Sequence, residues 1–216
     1  MRIPMIAAMP IALAMALAGC SMQQAAPFVV VLPVAVELAL AEATKDAREI
    51  GRFGAWTAAQ AGYPGRRACF VSAAPASTLQ LPTRIADVPA SPSAARSAPA
   101  QRRKEAVALV VSQRSAGPVR DEVSFRAGWD LAAGREVAIS VDGRQVATLA
   151  RRTALEPDIA HARDAAAGPA IVAALRAGKR LEVLSIGPAS ATNRDSFDLA
   201  RFGEALDAAN AACGLR

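Results

Sequence analysis

Val137-Ala-Ile-Ser-Val-Asp-Gly-Arg-Gln-Val-Ala-Thr-Leu149 is the stretch on which the fold class turns. Val137 to Val141 and Gln145 to Leu149 read as two strands flanking Asp142-Gly143. A type I′ turn requires positive φ at both central positions, and Asp and Gly tolerate it. The spacing therefore predicts a tight antiparallel hairpin. Toward the amino-terminus, Asp121 to Ala127 alternates Val123 and Phe125 with Glu122, Ser124 and Arg126, and Ala106 to Gln113 is an apolar run fit for a buried strand. Ala68 to Ala73 and Arg52 to Ala58 read as two earlier strands, and Trp56 and Phe53 as core anchors.

Toward the carboxyl-terminus, Pro169 to Ala177 predicts a helix, with proline in its first turn, Ile171, Val172 and Leu175 on one side and Gly178 at the stop. A strand follows from Arg180 to Ile186. From about Asp198 to Ala212 the apolar positions Leu199, Phe202, Leu206 and Ala209 recur at helical spacing, and Gly214 follows them. The fold class expected from these elements is mainly β: an antiparallel β-sandwich or partly closed barrel with two short helices. Residues 74–104 interrupt the pattern with an Ala/Ser/Pro-rich insert, read as a loop because it holds too little apolar surface to offset the entropy of ordering.

A chain of 216 residues, less a targeting segment and that insert, leaves room for one domain. Aromatic residues are only 4%, so the core must rest on Val, Leu, Ile and Ala. The net charge is +6, and loss of residues 1–41 would remove only Arg2 and Glu37, leaving it unchanged. The arginines are scattered among acidic residues with no reading motif or aromatic stacking set, which argues against nucleic acid as a partner and leaves some affinity for anionic lipid or glycan.

Arg2 precedes an apolar run from Ile3 to Gly19, the arrangement of a secretory signal. The run ends in Leu17-Ala18-Gly19-Cys20, which resembles the lipobox of bacterial lipoproteins and implies lipidation at Cys20; Ser21 carries no aspartate-type inner-membrane retention signal. A second apolar run, Pro27 to Ala41, is broken by Pro33 and Glu37 and is short for a transmembrane helix. It offers an alternative: a signal region 1–41 cleaved near Ala41, releasing a soluble periplasmic product. The domain organisation read from this is a signal peptide over 1–20 (or 1–41), an apolar tether over 21–50 and a folded domain over 51–216. Either route carries Cys69 and Cys213 to an oxidising compartment, where such a pair is expected to form a disulfide; two unpaired buried thiols are the alternative.

The order of landmarks carries a resemblance. Phe53-Gly-Ala-Trp56, Ala68-Cys-Phe-Val-Ser72, Ser112-Gln-Arg114, Arg120-Asp-Glu-Val-Ser124, Val141-Asp-Gly143, Ala162-Arg-Asp164, Leu175-Arg-Ala-Gly178, Phe202-Gly-Glu-Ala-Leu206 and Ala212-Cys-Gly214 occur in sequence. Together they resemble the invasion-associated locus B family of α-proteobacteria, from about Arg52 to the carboxyl-terminus outside the insert. The resemblance implies an exported envelope protein with a β-rich fold, associated in some pathogenic members with host-cell invasion, and no established catalytic residue to carry over. Cys69 and Cys213 match the family's positions, which implies a bridge from the second strand to the last helix. Closing so long a loop constrains the unfolded chain by about 4 to 5 kcal/mol. Three features depart from the family's pattern: Ala55 stands where an acidic or amide residue is common, Arg201 replaces a frequent glycine, and the insert is long.

Catalytic apparatus is sparse. His161 is the sole histidine, no Gly-X-Ser-X-Gly elbow is present, and neither Cys69 nor Cys213 lies in a Cys-X-X-Cys motif. With two cysteines allotted and no second histidine, a zinc site lacks ligands. No cofactor is expected. The glycines at turns lack the lysine and strand-loop-helix setting of a phosphate loop. Trp56 and Trp129 are the candidates for stacking on a ligand. The expectation is an exported, envelope-associated, non-catalytic binding or accessory protein linked to host-cell invasion or envelope integrity. It would be held to the membrane through Cys20, in the periplasm or at the outer membrane, and would engage an envelope protein or glycan. The alternatives are an envelope hydrolase using His161 and a nearby carboxylate, and a purely structural envelope protein.

Overall fold

The computed structural model describes residues 47–63, 66–81, 102–103, 107–115, 120–164 and 166–215. The signal region with Cys20, and most of the insert, lie outside the described residues. The hairpin over Val137–Leu149 is present: β7 (Val137–Val141) pairs antiparallel with β8 (Arg144–Ala150), with Val141 opposite Arg144. Asp142 and Gly143 take φ of 49° and 79°, as a type I′ turn demands. The Asp142 carboxylate also accepts the Lys179 and Arg180 N–H groups, fastening the turn to the start of β10 (Arg180–Ile186).

The remaining strands are β1 (Arg48–Phe53), β2 (Trp56–Tyr63), β3 (Arg66–Ala73), β4 (Ser77–Leu81), β5 (Ala108–Arg114), β6 (Glu122–Arg126), β9 (Ile159–Ala162) and β11 (Thr192–Asp198). They form one eleven-stranded antiparallel sheet in the order β1-β2-β3-β5-β6-β9-β8-β7-β10-β11-β4. β3 and β4 are joined by only Ala74-Pro75-Ala76, a link that spans at most roughly 14 Å. Eight strand steps separate them in the sheet, about 38 Å were it flat. The sheet must therefore roll until its ends approach, while β1 and β4 remain its two edges. This is the sandwich-like or partly closed β architecture that the alternation implies.

Two helices complete the fold: α1 (Ala167–Ala177) lies on β6 and β8, and α2 (Phe202–Ala212) on β1, β2 and β3. Ile171, Val172 and Leu175 of α1, with Phe202, Ala205, Leu206 and Ala209 of α2, enter the same core as the inward residues of the strands. Trp56 is fully buried, meets the Phe202 ring edge-on at 4.8 Å and donates its indole N–H to the Asp198 carbonyl at 2.9 Å. Burying an aromatic of this size stabilises a fold by roughly 3 kcal/mol.

Four elements differ from the sequence reading. The run Arg52 to Ala58 is two strands, because Gly54 at φ 63° turns the chain between Phe53 and Trp56. Residues 74–104 are not loop throughout: Ser77–Leu81 forms β4, an edge strand held by backbone pairing to β11, so its mostly exposed side chains show no apolar period. β9 is four residues long, too short to register as a pattern. β11 reads as polar, Thr-Asn-Arg-Asp-Ser-Phe-Asp, yet Asn193, Asp195 and Ser196 are buried.

Candidate functional site

Alternation along β6 sends Val123 and Phe125 into the core and Glu122, Ser124 and Arg126 to the outer face. The register sets Ser112 of β5 opposite Glu122, and Ser124 opposite His161 of β9. The loop joining β8 to β9, residues 151–158, folds back over this face. At one end Glu122 accepts from Arg114 at 3.1 Å and from Arg152 at 3.0 Å, and Arg152 also donates to the Ala162 carbonyl at 2.9 Å. About 13 Å along the strand, Asp158 faces Arg126 at 3.7 Å and Arg103 at 3.9 Å. Between the two carboxylates, the Glu156 Oε2 atom lies 3.7 Å from His161 Nε2.

Backbone bonds fix the same loop, from the Ala127 N–H to the Asp158 carbonyl (2.8 Å) and from the Leu131 N–H to the Pro157 carbonyl (2.7 Å). Thr153 Oγ1 accepts the Glu156 N–H at 3.3 Å and tightens the tip. Each of Glu122 and Asp158 is thus flanked by two arginines, which leaves the face with an excess of positive charge. At the tip Leu155 is 76% exposed, and nearby Arg103 presents 73% of its side chain to solvent.

A second polar centre is internal. Arg102, at the end of the insert, makes a two-pronged ion pair with Asp195 (2.9 and 2.5 Å), donates to the Ala127 carbonyl at 2.7 Å and lies over the Trp129 ring at 5.2 Å. Thr78 of β4 donates to the same carboxylate at 2.6 Å. The Arg102 and Asp195 side chains are 7% and 0% exposed, so the pair is a structural clamp. It fastens both ends of the insert to β11.

Cys69 of β3 and Cys213 at the end of α2 are joined in a disulfide, with Cα atoms 6.0 Å apart. The bridge ties the sheet to the last helix, and both cysteines are buried. Trp56 and Trp129, the candidates for stacking on a ligand, are both buried. The first is sealed in the core, and the second is covered by Arg102 and by the backbone at Gly187, where an added Cβ would meet the indole at 2.5 Å. The hydrolase alternative gains a carboxylate beside His161 in Glu156, although the imidazole is nearly buried. What the sequence reading missed is the β8–β9 loop as an organised unit. Its only early signal was the Arg151-Arg152 pair, with carboxylates four and six residues after Arg152 at Glu156 and Asp158.

Among the described residues no group of three His, Cys, Asp or Glu side chains is arranged to hold a metal ion, and no helix is long and apolar enough to cross a membrane. Fold and surface together define a disulfide-closed antiparallel β domain with a basic sheet face. A family model for the invasion associated locus B (IalB) protein matches residues 93–210, more than half of the chain. The chain belongs to that family of envelope-associated proteins. The match takes in the end of the insert and runs from β5 nearly to the end of α2, leaving both bridged cysteines outside it. No curated protein and no solved structure matches the chain.

Proposed function

We propose that this chain is an exported, non-catalytic binding or accessory module of the bacterial envelope, held at the membrane through a lipidated Cys20 and serving host-cell invasion or envelope integrity by engaging an envelope protein or glycan. The observation that carries the reading is the buried Cys69–Cys213 bridge. A structural disulfide of this kind forms and persists outside the reducing cytoplasm. The arginine-bordered face of β5, β6 and β9 gives such a module a polar surface suited to anionic partners. His161 supports a structural role, since it is 7% exposed and packed beside Glu156.

Intact-mass measurement of protein recovered from envelope fractions tests export and anchoring together. A product beginning at Cys20 with a diacylglyceryl adduct and a two-hydrogen deficit is the expected result. Free thiols in such material would overturn the reading, and an unmodified product beginning after Ala41 would replace the anchor with a soluble periplasmic form. For the hydrolase alternative, a His161→Ala variant that lost an ester- or glycan-cleaving activity shown by the parent protein would establish catalysis.

A further inference from the structure

We propose that the β8–β9 loop is a membrane-docking element: Leu155 enters the interfacial region of an anionic bilayer while the arginines around the loop's base engage lipid phosphates. The proposal rests on export to the envelope and is independent of lipidation at Cys20. Three observations converge on it. The loop is built to hold an apolar side chain outward, since both of its ends are fastened to the sheet by Arg152 on Glu122 and by the backbone and side chain of Asp158. Its one large apolar residue is nevertheless 76% exposed at the tip.

The loop's base is cationic by one charge, with Arg103, Arg114, Arg126 and Arg152 against Glu122, Glu156 and Asp158, and its guanidinium groups are chemically matched to phosphate. Arg103, Arg126 and Arg152 keep 73%, 48% and 38% of their side chains accessible, and each is only partly engaged by a carboxylate it shares with another arginine. The planar guanidinium fork pairs with phosphate oxygens two bonds at a time. An apolar tip above a basic base is a composition that binds headgroup surfaces, where burial of the apolar residue and attraction to anionic lipid add.

The test places a tryptophan reporter at the tip of the full-length chain. Leu155→Trp adds an exposed indole to a protein whose own Trp56 and Trp129 are buried, and Leu79→Trp does the same on edge strand β4 as a reference. With vesicles containing phosphatidylglycerol, the L155W emission should shift to the blue and be quenched by brominated acyl chains, while the L79W emission should not. Neutralising two arginines in the same background, Arg103→Gln with Arg126→Gln, should weaken the vesicle-induced shift by about 25-fold in lipid concentration, at roughly fivefold per charge. High salt should act in the same direction. Leu155→Ser, exposed and harmless to the fold, should weaken partitioning with an unchanged circular dichroism spectrum. The proposal is overturned if the chain floats with vesicles while L155W emission stays put, if L79W responds equally, or if phosphatidylcholine alone gives the same shift.

Discussion

Removing the disulfide is the perturbation whose size follows most directly from the structure. Cys69 and Cys213 are 144 residues apart in sequence. A cross-link closing a loop of that length lowers the unfolded chain's entropy by about 17 cal/mol/K, or about 5 kcal/mol at 25 °C. Domains of this kind are stable by only about 5–15 kcal/mol, so reduction should remove a third or more of the total. At about 2–4 °C per kcal/mol for a chain of this size, the melting temperature should fall by roughly 10–20 °C. Urea unfolding followed by tryptophan emission reads the change, because Trp56 and Trp129 are both buried in the folded state. The Cys69→Ala/Cys213→Ala variant and the reduced parent protein should agree within about 1 kcal/mol, since the entropy of the loop dominates the packing of two sulfur atoms. The m-value should rise as the released unfolded chain expands. A loss below about 1 kcal/mol with an unchanged m-value would refute the assignment of the bridge to the unfolded state.

The Arg102–Asp195 clamp predicts a large difference in cost between variants. Asp195→Ala leaves a guanidinium 7% exposed without its carboxylate and should cost about 3–5 kcal/mol, whereas Arg102→Met with Asp195→Leu should cost much less; equal losses in denaturant titrations would contradict the clamp. Gly187→Ala drives a methyl to 2.5 Å from the Trp129 indole and should destabilise by about 1–3 kcal/mol, with recovery when Trp129→Leu is added. A pair of melting curves that shows no such recovery would place the strain elsewhere. At the start of α2, the hydrogen bond from Arg201 holds the exposed Glu204 carboxyl below its ordinary value. A carboxyl depressed in the folded state stabilises above its unfolded pKa and ceases to do so as pH falls through the folded value. Glu204→Gln should therefore make melting temperature slightly less dependent on pH below about 4.5; superimposable profiles for parent and variant would remove the pair from the stability balance.

Arg201 also stands in a backbone conformation that a side chain of its kind rarely adopts. Its φ is 61°, in the left-handed region that glycine occupies without strain, which is why glycine suits this position. Here the arginine takes the strained conformation while pairing with Glu204 and covering the Phe53 ring at 5.6 Å.

The sequence alone determined the β class, the hairpin at Asp142-Gly143, strand β10 with its boundaries and the two helices. Each is written in local periodicity and turn chemistry, and each satisfies its own backbone within a few residues or with a predictable neighbour. It also marked Cys69 and Cys213 as partners, by the oxidising compartment that its amino-terminal pattern implies. Tertiary structure decided what local pattern could not encode. β11 is a polar heptad whose Asp195 is tolerable inside only because Arg102, 93 residues away, neutralises it. β4 is a strand because β11 offers it a free edge. The loop over residues 151–158 lies against the sheet because Glu122 and Arg126, four residues apart on one strand, each found a charge on it. Burying a charge or ordering a loop depends on the partner that folding delivers, and that partner's position is set by the rolled sheet rather than by its neighbours in the chain.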